Sequence, residues 1–187
     1  MANLHWNYFL ALEADAIHVS RFVEFSPKNY QAFSMEFGHL LMSAAQEVDV
    51  LLKQICAKHG NPSEKEPGYR KFFANKFPKI GGVKVSLSKH GLDFVPFEEW
   101  FQNPSTPPSW WTANNKVKHE RHTEFERANL QNVLSALSAL LVANIYFILE
   151  CGNQKDFVDG TKLFKAERAL IAQAPAAGGA KLQFRHP

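Results

Sequence analysis

Cysteine is scarce. Cys56 and Cys151 are the only two in 187 residues, each set singly within an apolar pattern of helical period. That excludes a disulfide-stapled scaffold and predicts two reduced, structural thiols in a reducing compartment. His5, His18, His39, His59, His90 and His186 form no HExxH-like ligand pattern, so neither a metal nor a cofactor is expected. GxxxxGK[ST], GxGxxG and GxSxG are all missing, which removes P-loop, dinucleotide and serine-hydrolase chemistry. The opening residues MANLHWNYFLALEAD have no charged stretch followed by an apolar one, so no secretion signal is expected. Net charge is +3 with a pI of 8.8, too small an excess to announce a nucleic-acid binder by itself. The most apolar stretch, Leu130 to Leu149, is interrupted by Gln131, Asn132 and Asn144. It reads as a buried core helix, not a membrane span, so the expectation is a cytoplasmic protein with no membrane partner.

What remains is a chain with 45% hydrophobic residues and sixteen phenylalanines, long enough to bury a bulky core as one domain. A first helix is predicted from about His5 to Phe22, stopping before Pro27. The clearest helical pattern follows: Phe33, Phe37, Leu40, Leu41, Ala44, Val48, Leu51, Leu52 and Ile55 recur at i, i+3, i+4, i+7 until KHGNP interrupts them. Proline and glycine then punctuate residues 60–108, an insertion in which KVSLSKHGLDFVPF predicts a small hairpin, Val83–Leu87 against Leu92–Val95. A short helix is predicted from Ser109 to about His122. The sequence TEFE, with Thr123 and Glu126, has the form of a capping box opening a last long helix striped by Leu130, Val133, Leu134, Leu137, Leu141, Ile145 and Ile148. The fold class is therefore mainly α: an antiparallel helical bundle over residues 1–152 with two long core helices and a small β-hairpin insertion. Residues 153–187 are expected to add a short helix, within FVDGTKLFKAERALIAQ, and a flexible tail.

Two segments carry chemistry. Between Pro67 and Gly91 there are six cations, Arg70, Lys71, Lys76, Lys79, Lys84 and Lys89, and no acid. Tyr69, Phe72, Phe73 and Phe77 are interleaved with them. Cations for phosphates and aromatic faces for bases make a single-stranded nucleic-acid platform; core phenylalanines with a solvated lysine rim are the alternative. The second segment is SWWTANNKVKHERH, Ser109 to His122. On a helix, Asn115, Lys118, His119 and His122 share a face, where amide and ammonium could hold a phosphate while an imidazole moves a proton. Glu47 lies on the shoulder of the apolar stripe of its helix and needs a cation or donor there; Lys116, Lys118 and Arg121 are the candidates, whereas Asp49 and Lys53 are expected to point away.

The long helix SMEFGHLLMSAAQEVDVLLKQIC, the aromatic and basic middle, and WWTANNKVKHERHTEFERANLQNVLSALSALL together resemble bacterial proteins of the HEPN superfamily. The similarity covers roughly residues 5–150, and NKVKHER is its most specific part. The resemblance implies an α-helical bundle, frequently a homodimer. It also implies RNA as a partner, with a cognate antitoxin or other partner protein, in toxin–antitoxin or phage-defence systems. Many members are metal-independent ribonucleases using an arginine, four to six further residues, and a histidine. His119 matches that histidine and Asn115 the polar residue after the arginine, but Asn114 stands in the arginine's place. An amide does not replace a planar, permanently charged, bidentate donor at a phosphorane-like transition state. Either Lys116, Lys118 or Arg121 supplies the charge in a divergent ribonuclease in which His119 is the base, with His122 beside it, or an RNA- or nucleotide-phosphate-binding module without catalysis is left. A protein-interaction partner that binds no nucleic acid is the third reading.

Overall fold

A computed structural model describes residues 2–152 and 160–167. The chain is mainly helical with a small antiparallel sheet. In order come α1 (Ala2–Val19), α2 (Met35–Lys58), α3 (Glu66–Lys76), the hairpin β1 (Val85–Leu87) and β2 (Leu92–Phe94), α4 (Ser109–His119), the short α5 (Arg121–Glu124), α6 (Leu130–Cys151) and β3 (Lys165–Ala166). Both stretches expected to be long helices are, at 24 and 22 residues.

The expected capping differs at the second of them. Ser34 caps α2, its hydroxyl accepting from the Phe37 N–H at 3.1 Å. The last helix opens at Asn129, whose side-chain oxygen accepts from the Asn132 N–H at 3.1 Å, and not at the TEFE box. The Thr123 hydroxyl instead donates back to the Glu120 carbonyl. An Asx cap close to the apolar run outcompetes the box because Phe125–Arg127 turns as a 3-10 segment first.

α2 and α6 pack along each other and run parallel, where an antiparallel arrangement was expected. At their starts the Leu130 N–H donates to the Ala32 carbonyl at 2.9 Å and the Gln131 N–H to the Tyr30 carbonyl at 3.2 Å. At their ends His59 meets Glu150 at 2.9 Å, and the Lys58 ammonium donates to the Glu150 carbonyl. Alternation of direction holds only when short loops join successive helices; here some seventy residues return the chain to the start of α2 before α6 begins. α1 runs antiparallel to both, its early His5 reaching Glu47 of α2 and Phe147 near the end of α6.

α6 is buried on nearly every side, from Leu130 through Ile148, including Ser138 and Asn144 at 0% exposure. By length and composition it could cross a bilayer, yet 83% of its most apolar window lies inside the protein. Asn144 settles one end of its amide by donating to the Leu140 carbonyl at 3.0 Å.

The insertion packs its aromatics inward. Tyr69, Phe73, Phe97 and Trp100 are essentially inaccessible, and the Trp100 indole N–H donates to Glu66 at 2.8 Å. The hairpin forms close to the expected register, Val85 opposite Phe94 and Leu87 opposite Leu92. Its turn needs Gly91, whose φ is +63°. The third strand, β3, pairs with β1, within the stretch expected to be helical, whose described residues 160–167 hold no helix; its residues 157–159 and 168–173 and the expected tail lie outside the described residues. Leu163 and Phe164 enter the core just before β3. Backbone N–H groups of Lys162, Leu163 and Phe164 all donate to the buried Glu13 carboxylate of α1, at 2.8–3.1 Å.

A carboxylate holding three successive N–H groups in a low-polarity setting is strongly coupled to them. Glu13→Ala is expected to cost about 2–3 kcal/mol, the scale of charged hydrogen bonds lost with buried donors left unmet. Urea unfolding measures it. Native-state hydrogen exchange should show the Leu163 and Phe164 amides losing protection ahead of α2; unchanged protection would mean the apolar side chains alone hold this segment.

Candidate functional site

α4 is placed by contacts from the segment before it. The Ser109 N–H and hydroxyl both donate to Glu99, at 3.1 and 2.9 Å, a carboxylate at the positive end of the helix. The Trp110 indole N–H donates to the Pro96 carbonyl at 2.8 Å. Trp110, Ala113 and Val117 form the buried face against α2 and α6. That anchoring turns Asn115, Lys118 and His119 to solvent and leaves Trp111 and Asn114 half-buried.

The common face expected for Asn115, Lys118, His119 and His122 is only partly formed. α4 ends at His119, and Glu120, at φ −130° and ψ 38°, breaks the helix before α5 starts. His122 is therefore displaced from the line of α4, although it is exposed like His119. Neither histidine takes part in a hydrogen bond or ion pair among the described residues, and the same is true of Asn115. Lys116 is engaged, with its ammonium 2.9 Å from both Glu120 oxygens. Arg121 lies against the Met42 sulfur at 3.3 Å.

Glu47 does not meet the expected Lys116, Lys118 or Arg121. Its carboxylate lies 2.5 Å from His5 Nδ1, and Gln54 approaches the other ring nitrogen at 3.3 Å. Both side chains are largely buried, at 11% and 16% exposure. Both imidazole nitrogens are thus spent, and the group is a tie between α1 and α2, not a reactive pair. The sequence pattern missed it because α1's approach to α2 is a tertiary fact, invisible in the spacing of either helix.

Asp49, expected to point away, is half-buried. Burial pushes its carboxyl up, while Tyr69, Lys53 and Lys118 favour its charged form. The Tyr69 hydroxyl is itself fully buried and faces Asp49, whose charged form it favours as a donor. Burial, then the charge of Asp49, raises the phenol above its ordinary value. Lys53 is held by Glu64 at 3.0 Å; Lys118 has no such partner among the described residues. Packing of Tyr69 edge-on to Trp111, with centroids 6.4 Å apart, links this polar group to α4.

The basic segment separates into two kinds of cation. The Arg70 guanidinium donates to the Ser105 carbonyl at 2.5 Å and lies 3.4 Å from Glu66; Lys84 pairs with Asp93 at 3.5 Å. Lys71 and Lys76 rim a shallow depression of 510 Å³ with Asn61, Ser63, Phe72 and Asn75. Lys79 is exposed on the 3-10 turn Pro78–Gly82. Because Tyr69, Phe73 and Phe77 are core and Phe72 is partly buried among them, the segment offers cations without the aromatic platform that its composition suggested. Cys56 is fully buried, and that burial pushes its thiol up to about 12, which disfavours the thiolate near neutral pH. Among the described residues no group of three or more His, Cys, Asp or Glu is arranged to hold a metal.

A carboxyl raised in the folded state binds its proton more tightly there than in the unfolded chain. Its contribution to stability is therefore lost as pH rises through the folded pKa. Asp49→Asn should match or exceed the wild type in Tm at pH 7, with the gap between them growing from pH 4 to pH 7. A gap that shrinks with rising pH would show that Lys118 and Lys53 overcome the burial of Asp49.

No protein-family model matches the chain, and neither curated proteins nor solved structures give a match.

Proposed function

We propose that the chain is an RNA- or nucleotide-phosphate-binding module, a divergent HEPN-like helical bundle whose contact surface is the outer face of α4 and the turn after it. One observation carries the reading. Asn115, Lys118 and His119 are presented side by side on a rigid helix, exposed and unengaged, while the nearby acid Glu120 is neutralised by Lys116. Arg121 and His122 extend the same surface past the helix break. Exposed cations beside amide and imidazole donors suit phosphate oxygens, and such contacts bind without sequence preference and weaken with salt. Lys71 and Lys76 add a second cationic rim on α3. The resemblance of NKVKHER to the HEPN motif supports the same reading, and a homodimer and a cognate partner protein belong to that resemblance; a cytoplasmic setting rests on the sequence pattern instead.

Catalysis is the weaker reading on two grounds. Asn114 replaces the arginine of the motif, and among the described residues no carboxylate is hydrogen-bonded to His119, so neither the motif's own cation nor an oriented base supports catalysis.

Fluorescence anisotropy with a labelled single-stranded RNA tests the module. Lys118→Glu is expected to weaken binding about tenfold or more at low salt, and Lys118→Ala to lower the salt slope by about 0.7, one single-strand phosphate contact. Lys84→Ala, which removes a cation already paired, should leave affinity unchanged. Equal affinity for Lys118→Glu and wild type would sink the proposal. In EDTA, wild type and His119→Ala are expected to leave the RNA intact alike; cleavage that depends on His119 would replace the module with a nuclease.

A further inference from the structure

We infer that the depression on α3 between Lys71 and Lys76 binds a small aromatic phosphate monoester, the phosphate held by the two ammonium groups and the ring lying against Phe72. This site goes beyond the α4 surface proposed above and needs no RNA.

The cavity, 510 Å³ in volume, lies between one face of α3 and the connection that precedes it. Helical geometry arranges the α3 wall. At 100° per residue Gly68 and Asn75 fall within about 20° of each other and Phe72 about 40° to one side, while Lys71 and Lys76 stand at the two edges, about 140° apart. Asn61 and Ser63 form the facing wall. They come this close because residue 68 is glycine: a Cβ there would meet the Ser63 Oγ at 2.5 Å and its Cβ at 2.7 Å. The Ser63 N–H and hydroxyl both donate to the Asn61 Oδ1, at 2.9 and 2.5 Å, which leaves the Asn61 NH2 group as a donor without a partner among the described residues.

The polar groups of the cavity bring donors and no negative charge. Lys71, Asn75 and Lys76 are exposed and make no hydrogen bond or ion pair among the described residues. No carboxylate lines the cavity, and the acids just before Gly68 are engaged elsewhere, Glu64 with Lys53 at 3.0 Å and Glu66 with the Trp100 indole at 2.8 Å. Two ammonium groups flanking a concave surface with no anion between them suit a phosphate monoester, which carries up to two negative charges. The C-terminus of α3 accounts for a lysine at 76, in its last turn, but not for Lys71 or the amides.

Phe72 decides the rest of the ligand. Its ring is held by Phe73, Phe77 and His59, at centroid distances of 5.4, 5.9 and 5.7 Å, yet it stays half-buried and lines the cavity. One ring cannot follow a strand of bases, but it meets a single aromatic group. The cavity has the size of a small-molecule site and is larger than one phosphate requires.

Isothermal titration calorimetry on the full chain with AMP, phenyl phosphate, ribose 5-phosphate and adenosine tests this. Wild type is expected to bind AMP and phenyl phosphate, to bind ribose 5-phosphate about tenfold more weakly than AMP for want of a stacked ring, and not to bind adenosine. Lys71→Ala and Lys76→Ala should each weaken AMP about tenfold, the scale of one charge-assisted hydrogen bond, whereas Lys118→Glu should bind AMP as wild type does. Phe72→Leu, checked for native circular dichroism, should bind AMP and ribose 5-phosphate alike. Failure of wild type to bind either AMP or phenyl phosphate would overturn the site. So would equal wild-type affinity for AMP and ribose 5-phosphate, or AMP binding unchanged when both lysines are replaced. RNA bound through Lys118 with no AMP bound would remove this site alone, and AMP bound with no RNA would remove the α4 module alone.

Discussion

The parallel packing of α2 on α6 is the constraint from which the rest of the molecule follows. Two parallel helices cannot be joined by a tight turn, so the chain must travel back the length of α2 before α6 can begin. The insertion, the hairpin and α4 are that return path. α4 completes it by lying across both long helices with Trp110, Ala113 and Val117 inward, and its outward face is the consequence. The pair is registered at both ends: by backbone bonds from Leu130 and Gln131 to the α1–α2 connection, and by His59 and Lys58 on Glu150. Sliding α6 by one turn would break both sets and bury different residues at each α4 contact, so the exposure of Lys118 and His119 is fixed by a packing event far from them in sequence.

Helix periodicity made the long elements legible. Leu40, Leu41, Ala44, Val48, Leu51, Leu52 and Ile55 are all buried, as the i, i+3, i+4, i+7 pattern requires. Alternation likewise located the hairpin. What the pattern did not contain is direction and partnership. Nothing in α6 states that it runs parallel to α2, because an apolar stripe marks which side of a helix is buried and not the direction of its neighbour. The stripe of α2 showed that Glu47 needs a partner and not which one, and nothing in α1 singled out Glu13; their partners, His5 and the 162–164 backbone, come from segments remote in sequence. The strand at Lys165–Ala166 was concealed for a similar reason. Two residues are too few to show a period, and pairing with β1 decides their conformation.

The candidate site was legible as composition and less so as geometry. SWWTANNKVKHERH does place an exposed lysine and histidine on α4, but the break at Glu120 could not be read from residues that all tolerate helix. Asp49 was misjudged because its exposure was inferred from the α2 stripe alone. α3 and α4 each bring a side chain over it, Tyr69 and Lys118, and a position that is solvent-facing on an isolated helix becomes half-buried. The interleaved Tyr69, Phe73 and Phe77 went the other way: a composition suited to stacking bases was spent on the core.

Two carboxylates, Glu66 in α3 and Asp49 in α2, illustrate how burial and partners act on an acid together. Glu66 and Asp49 are both pushed up by burial first. One Glu66 oxygen accepts from the Trp100 indole at 2.8 Å and lies 3.4 Å from Arg70 of α3, while the other is buried with no hydrogen-bond partner among the described residues. Its role is to join α3 to the segment of Trp100, and solvent does not reach it. Asp49 is half-buried, with the Tyr69 phenol, Lys53 and Lys118 all favouring its charged form against that burial. Folding alone would favour an asparagine or an apolar residue at such a position. What offsets the cost of that burial lies in the neighbouring elements: the Tyr69 phenol of α3 and the Lys118 ammonium of α4 both favour the charged carboxylate, so α2 is coupled to both of them through this one side chain.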